Sequence, residues 1–88
     1  MSTLDVIDLT EEAKKPQLYP NPFHDQLTID SPENAFLRIT DLSGGFISER
    51  DIFHGKTTIE TTSWNQGMYI VRLQTEQGKI KTFKVVKM

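Results

Sequence analysis

Apolar and polar residues alternate over short stretches from Leu18 to the C-terminal end of the chain, and no stretch has the period of a helix. One polar residue separates Leu27 from Ile29, and one separates Leu37 from Ile39. Because successive side chains of a strand point to opposite faces of its sheet, both pairs are expected to face the interior. The pattern predicts strands rather than helices.

The C-terminal part of the chain predicts two strands joined by a turn at Gln77 and Gly78. Gly67 and Tyr69 lie where a loop becomes the first of these strands. Glycine permits positive φ, and a tyrosine at a sandwich corner can bury its ring while its hydroxyl reaches a backbone group. A surface recognised by a partner is the alternative role for this pair. The side chains expected on the inward faces are Tyr69, Val71, Leu73, Phe83 and Val85.

Residues 46–53 and 56–61 are predicted to pair as a further hairpin around His54 and Gly55. The inward face of this hairpin is ambiguous in the sequence. The candidates for its inward positions are Ile47, Ile52 or Phe53, and Ile59.

Turn residues separate the predicted strands at spacings of roughly 8 to 12 residues. Pro20 and Pro22 cannot donate to a central ladder, so their segment is expected to be a corner or an edge. Ser43, Gly44 and Gly45 supply a turn that tolerates positive φ. About six to seven short strands at this spacing predict an all-β fold, an antiparallel β-sandwich.

Composition limits the size and class of the protein. The 88 residues suffice for one small core, and 36% hydrophobic with 25% charged residues favours a folded domain over disorder. There is no cysteine for a disulfide or a thiolate metal site. No apolar run approaches the length of a membrane span, so we expect no membrane insertion. A net charge of −2 argues against binding to nucleic acid.

Residues 1–17 differ in composition from the rest and are predicted to be a flexible leader or linker, with residues 18–88 as the domain. Pro16 marks the boundary because proline ends a helical turn and restricts the residue before it. The start of the chain lacks the basic and then apolar layout of a secretory signal. We therefore expect either a cytoplasmic chain or the tail of a longer precursor.

The two ends of the chain carry opposite charge. Acidic residues are concentrated in residues 1–13, whereas residues 79–88 contain lysines and no acid. Protection of an edge strand against unwanted pairing is one explanation for these lysines, and recognition by a partner is the other. The lysines concerned are Lys79, Lys81, Lys84 and Lys87.

No combination of nucleophile, base and orienting group can be assigned, so we expect neither enzymatic activity nor a cofactor. His24 and His54 lie next to turn residues and are expected to be solvated. Oxygen-bearing side chains are present, but they lack the alternating spacing of a calcium-binding loop, and no metal site is assigned. These side chains are Asn21, Asp25, Asp30 and Asp41.

An accessory sandwich that binds carbohydrate or calcium is the alternative function. Exposed aromatic side chains in a row would favour it. Trp64 is the only tryptophan, and the phenylalanines mostly occupy positions compatible with an inward orientation. Both observations count against the alternative.

Several short motifs follow one another in the predicted domain. They are Tyr19-Pro20-Asn21-Pro22 with Leu27-Thr28-Ile29, Ile39-Thr40-Asp41-Leu42-Ser43-Gly44, Gly67-Met68-Tyr69-Ile70-Val71-Arg72-Leu73, and the ending Lys84-Val85-Val86-Lys87. In this order and spacing they resemble the type A C-terminal sorting domain of type IX secretion. Gly45, Trp64 and Asn65 depart from the usual residues of that family.

The resemblance implies an Ig-like β-sandwich that forms the removable tail of a protein exported by a Gram-negative bacterium. Such a precursor reaches the periplasm through a separate N-terminal signal, and the tail then directs it across the outer membrane. The cargo is then secreted or held at the cell surface. The implied partners are the type IX translocon, an outer-membrane shuttle protein and a surface sortase.

The resemblance also assigns candidate site residues by position. Gly67 and Tyr69 match the family's Gly-x-Tyr motif. The residues that match its terminal recognition segment are Lys84, Val85, Val86 and Lys87. The linker in which a sortase would cut comprises Glu12, Ala13, Lys14, Lys15, Pro16 and Gln17.

Overall fold

The computed structural model describes residues 15–88, and every regular element in this range is a β-strand. Most of the linker predicted for residues 1–17 lies outside the described residues. The strands are β1 (Gln17–Tyr19), β2 (Gln26–Ser31), β3 (Ala35–Asp41), β4 (Phe46–Ile52), β5 (Gly55–Glu60), β6 (Gly67–Thr75) and β7 (Ile80–Lys87).

Two antiparallel sheets build the domain. The first has the strand order β1-β2-β5, and the second has the order β4-β3-β6-β7. Buried apolar side chains from both sheets form one cluster between them. The predicted all-β sandwich is confirmed. No helix that could cross a membrane is found in residues 15–88.

The core contains the alternating positions that the sequence predicted. Leu27 and Ile29 on β2 are fully buried, as are Leu37 and Ile39 on β3. Burial of such side chains is the main favourable term in folding a chain that has no disulfide. Most of the predicted inward side chains of the C-terminal strands are also buried, namely Tyr69, Val71, Leu73 and Val85. The exception is Phe83, which is partly buried against the core.

The predicted hairpin of residues 46–53 with residues 56–61 is wrong. β4 pairs with β3, whereas β5 pairs with β2 in the opposite sheet. The chain changes sheets at His54, whose N–H donates to Asn34 Oδ1 at 3.0 Å, and Gly55 follows with a φ of 109°. Crossing between the sheets allows both Ile52 and Ile59 to cover the same core.

A β-bulge accounts for the ambiguous inward face of β4. Ile47 and Ile52 are an odd number of residues apart, so a regular strand would place them on opposite faces. The pairing register of β3 with β4 shifts between Ile39 and Thr40, which leaves Ile47 as the extra residue. Ile52 is buried and Ile47 packs partly against the core, whereas the other candidate, Phe53, is exposed.

The expectation that most phenylalanines point inward is also wrong. Phe23 is fully buried and Phe83 partly buried, whereas Phe36, Phe46 and Phe53 are exposed. Phe36 lies on the outer face of β3, one position from the buried Leu37, and Phe53 lies in the connection between the two sheets. Alternation with Leu37 therefore accounts for the exposure of Phe36, whereas Phe53 lies beyond the end of β4, where alternation assigns no face.

The segment with two prolines forms a corner, one of the two positions that were expected. β1 is an outer strand of its sheet and ends at Tyr19, immediately before Pro20. The next residues leave this sheet and run to the end of β7, where Phe23 forms an isolated parallel bridge with Lys87. The N-terminal part of the domain thereby contacts its last strand.

Candidate recognition site in the C-terminal hairpin

The turn between β6 and β7 forms where the sequence predicted it. Gly78 has a φ of 87°, a region that favours glycine, and its N–H donates to the carbonyl of Thr75 at 2.9 Å. The N–H of Thr75 donates to the carbonyl of Lys79 at 2.9 Å, and the N–H of Lys79 donates to Thr75 Oγ1 at 3.2 Å. These bonds fix the register of the hairpin.

That register brings the two candidate motifs together. Gly67 lies opposite Lys87, and Tyr69 lies opposite Val85. Between them, Met68 lies opposite Val86. The Gly-x-Tyr motif and the terminal segment are therefore neighbours in one part of the sheet, although the turn and most of both strands separate them in sequence.

The two faces of this hairpin differ in accessibility. Tyr69 and Val85 are 5% and 1% exposed, and Lys87 is 8% exposed. On the opposite face, Lys84 is exposed and Val86 is half-buried, whereas Gly67, on the same face as Tyr69, is exposed without a side chain. The side chains available to a docking protein without local unfolding are therefore on the outer face, and the buried members of the motif pack the domain.

Tyr69 forms the sandwich corner that the sequence suggested. Its hydroxyl donates to the backbone carbonyl of Asn65 at 2.6 Å, so the loop before β6 is tied to the buried ring. Gly67, between them, has a φ of 142°, and an added Cβ would meet no atom within 4 Å. The backbone conformation, and not crowding, therefore favours glycine at this position.

Three aromatic rings pack together behind the hairpin. The ring centroids of Phe23 and Trp64 are 5.8 Å apart in an edge-on arrangement, and those of Trp64 and Tyr69 are 5.0 Å apart. Phe23 and Tyr69 are separated by 6.1 Å. Aromatic contacts of this kind add to the stability gained from buried area. The cluster joins β6 to the loops that precede β2 and β6.

Residues after β1 close the outer edge of β7 near its end. The N–H of Phe23 donates to the carbonyl of Val86 at 2.8 Å, and the N–H of Met88 donates to the carbonyl of Phe23 at 3.0 Å. Asn21 Oδ1 accepts from the N–H of Val86 at 3.0 Å. Sequence reasoning missed these contacts. The available signal was an amide side chain between two prolines, followed by an apolar residue.

A second turn lies at the same end of the sheet. Asp41 is the register partner of Tyr69, and its carboxylate accepts from the Ser43 hydroxyl at 2.7 Å and from the Gly45 N–H at 2.7 Å. The hydrogen bond from the Ser43 side chain, followed by that from Gly45, lowers the pKa of Asp41 below its ordinary value of 3.8. The ionised carboxylate holds the turn between β3 and β4.

The candidate ligands and bases are dispersed. His24 and His54 are exposed in connections, and within residues 15–88 no three His, Asp or Glu side chains are grouped to hold a metal ion. Phe36 and Phe53 line an open cleft of about 410 Å³ at the end of the sandwich. Their exposure removes one argument against the carbohydrate alternative.

The predicted cleavage linker is only partly described. Glu12, Ala13 and Lys14 lie outside the described residues. Lys15 and Gln17 are exposed, and Pro16 is half-buried, lining a small cleft with Lys79 and Lys81. The linker therefore enters the domain beside the start of β7.

Comparison with known proteins identifies relatives of the domain. No curated protein matches the chain. Among solved structures, the fold is similar to part of PorZ, described as an essential bacterial surface component of the type-IX secretion system of Porphyromonas gingivalis. The TM-score is 0.64 at 20% identity, over 89% of this chain and 12% of that chain. This likeness concerns the fold, and the chain spans a small part of the PorZ length.

The family model described as "Secretion system C-terminal sorting domain" matches residues 17–88, which include every strand described above. The matched region contains the Gly-x-Tyr motif and the terminal lysine-valine segment. The chain belongs to the C-terminal sorting domain family of type IX secretion.

Proposed function

We propose that this domain is a folded, non-catalytic signal that directs a cargo, joined before residue 17, across the outer membrane by type IX secretion. The observation that carries the proposal is the register of β6 with β7. It places Gly67 and Tyr69 opposite Lys87 and Val85, and leaves Lys84 exposed on the adjoining outer face. The motifs of the family thus form one structural element at an edge of the domain.

A rigid signal suits this role physically. The aromatic cluster and the bonds from Asn21 and Phe23 hold the last strand in place before any partner arrives. A partner that docks on a preorganised strand loses less conformational entropy than one that must order a flexible peptide. We expect the type IX translocon and an outer-membrane shuttle protein to contact this hairpin, after the precursor has reached the periplasm.

The second part of the proposal is removal of the domain by a surface sortase. The cut lies in the linker of residues 12–17, immediately before or at the start of β1. The exposure of Lys15 and Gln17 supports access at this position. A cut there separates the cargo from the domain and leaves the pairing of strands β2 to β7 intact. The cargo is then released or attached at the cell surface.

Export is tested by fusing residues 15–88 to the C-terminus of a periplasmic reporter that carries its own N-terminal secretory signal. In cells with a working type IX system, we expect the reporter at the surface or in the medium. The matched controls are the reporter without the domain and the same fusion in cells that lack the translocon. Retention of the intact fusion in the periplasm of competent cells would contradict the proposal.

Removal is tested with the full 88-residue chain on the same reporter. Mass spectrometry of the exported reporter should find its new C-terminus within residues 12–17. Replacing that linker by a glycine-serine sequence of equal length should give exported reporter that retains the domain. If the exported wild-type fusion keeps residues 18–88, or is cut elsewhere, sortase removal at this linker is wrong, while the export proposal stands.

A further inference from the structure

The backbone of β7 has two edges, one paired with β6 and one directed away from it. Val86 identifies the outward side, because its N–H donates to Asn21 Oδ1 and its carbonyl accepts from Phe23. Hydrogen-bonding direction alternates along a strand, and the register of β6 with β7 runs without a shift. The backbone groups of Thr82 and Ile80 therefore also point outward.

Only the C-terminal part of this outward edge is covered by other described residues. Asn21 Nδ2 lies 3.5 Å from the carbonyl of Lys84, and the contacts of Asn21 and Phe23 continue from there to Met88. Before Lys84, β7 pairs with β6 alone among residues 15–88. The open edge extends from Ile80 to the N–H of Lys84, and we call this stretch the open edge of β7.

The side chains that β7 and the residue before it carry along the open edge are basic and partly apolar. Lys81 and Lys84 are exposed, Lys79 lies in the adjoining turn, and Ile80 is 46% exposed. No acidic residue occurs in residues 77–88. A second copy of the domain would bring the same lysines against this edge, so like charges oppose pairing between copies. An acidic strand from a partner protein would instead meet the opposite charge of these lysines.

We propose that the open edge of β7 accepts an extended acidic segment of the receiving secretion machinery, which adds to the sheet β4-β3-β6-β7 as an antiparallel or parallel outer strand. Backbone hydrogen bonds to Ile80, Thr82 and Lys84 supply the pairing, and acidic side chains meet the lysines. The contacts of Asn21 and Phe23 end the added strand at Lys84. This inference rests on the proposed function and specifies the chemistry of the partner.

The edge is tested directly by amide hydrogen exchange on the full chain, with a synthetic seven-residue peptide that alternates glutamate and valine. At a peptide concentration ten times its Kd, exchange of the Thr82 and Ile80 amides should slow about tenfold. The amides of Lys81 and Phe83, which face β6, should change little. The matched probe is a peptide that alternates lysine and valine, and it should give no protection.

Thr82→Pro removes the outward N–H at the centre of the open edge. Proline is tolerated in an edge strand where the N–H faces solvent, so the domain should stay folded. This variant should lose peptide protection at Ile80, whereas Thr82→Ala, which retains the N–H, should keep it. If Thr82→Pro fails to fold, the double variant Lys81→Glu with Lys84→Glu provides the test, because it should bind the lysine peptide in place of the glutamate peptide.

Three results of the exchange experiments would overturn the inference. They are equal protection by both peptides, wild-type binding by Thr82→Pro, and slow exchange of Thr82 in the chain without peptide, which would mean that the edge is already covered.

The reporter fusion distinguishes this inference from the proposed function. Export of the wild-type and Thr82→Pro fusions at equal levels refutes strand addition at the open edge but not the proposed export function. Retention of the wild-type fusion in the periplasm refutes the export function. Loss of export for Thr82→Pro but not for Thr82→Ala supports both.

Discussion

Asn21 Oδ1 accepts a hydrogen bond from the backbone N–H of Val86 at 3.0 Å, across 65 residues of sequence. The bond places the end of the chain within the fold and not on a free tail. Deleting residues 84–88 would therefore remove a buried valine and the backbone partners of Phe23 together. Loss of export after such a deletion is expected, but point variants separate recognition from folding more sharply.

Replacing Asn21 by alanine removes the acceptor for the Val86 N–H. We expect the free energy of unfolding to fall by about 0.5–1.5 kcal/mol, as for loss of one hydrogen bond. Urea unfolding measures the change, and Asn21→Asp, which retains an oxygen acceptor, serves as the control. Equal destabilisation by the two variants would show that the Val86 bond is not the cause.

Tyr69→Phe tests the sandwich corner. The ring and its aromatic neighbours remain, but the 2.6 Å hydrogen bond to the Asn65 carbonyl is lost. We expect a loss of about 0.5–1.5 kcal/mol in unfolding free energy. Tyr19→Phe, at a residue that is 37% exposed, is the matched control and should have little effect. Unchanged stability of Tyr69→Phe would contradict the structural role of the hydroxyl.

Gly67→Ala tests the backbone at the start of β6. An L-residue at a φ of 142° is strained, so we expect destabilisation of about 1–3 kcal/mol although the site has space for a Cβ. The neighbouring exposed residue Gln66, which has no positive φ, provides the control Gln66→Ala. Chemical denaturation compares the two, and equal stability of both variants would show that the glycine is not required for conformation.

Asp41 makes the stability of the domain depend on pH in the acid range. Its pKa is lower in the folded state, so its contribution to stability is fully present above the ordinary carboxyl pKa and is lost as the pH falls through the folded value. Asp41→Asn cannot titrate at this position. The difference in unfolding free energy between wild type and Asp41→Asn should therefore shrink in acid. A difference that grows as the pH falls would reverse the assigned sign.

The sequence predicted the strands and the buried side chains of β2, β3, β6 and β7 because alternation over a half-buried strand depends on local order. It failed for the partner of β4, because the choice between sheets is made by contacts distant in sequence. Alternation with Leu37 places Phe36 on the outer face, and this local signal was overlooked, whereas Phe53 lies in the connection that leads from one sheet to the other.

The candidate site was predictable in part. The Gly-x-Tyr motif and the terminal segment were identified by resemblance, and their assembly opposite each other followed from the turn at Gly78. The amide of Asn21 between two prolines and the apolar Phe23 after it are visible in the sequence, but their bonds to the last strand depend on how the two sheets are placed. The residues that limit the open edge therefore came from the structure.

The central claim is that the export signal is the folded C-terminal hairpin. The most direct measurement is the exported fraction of the reporter fusion that carries Val85→Asp, which puts a charge at a position 1% exposed and should unfold the domain. Leu42→Asp, at a turn residue 63% exposed, is the matched control. We predict that Val85→Asp stays in the periplasm and Leu42→Asp is exported at the wild-type level. Wild-type export of Val85→Asp, with the purified variant shown to be unfolded, would contradict the claim.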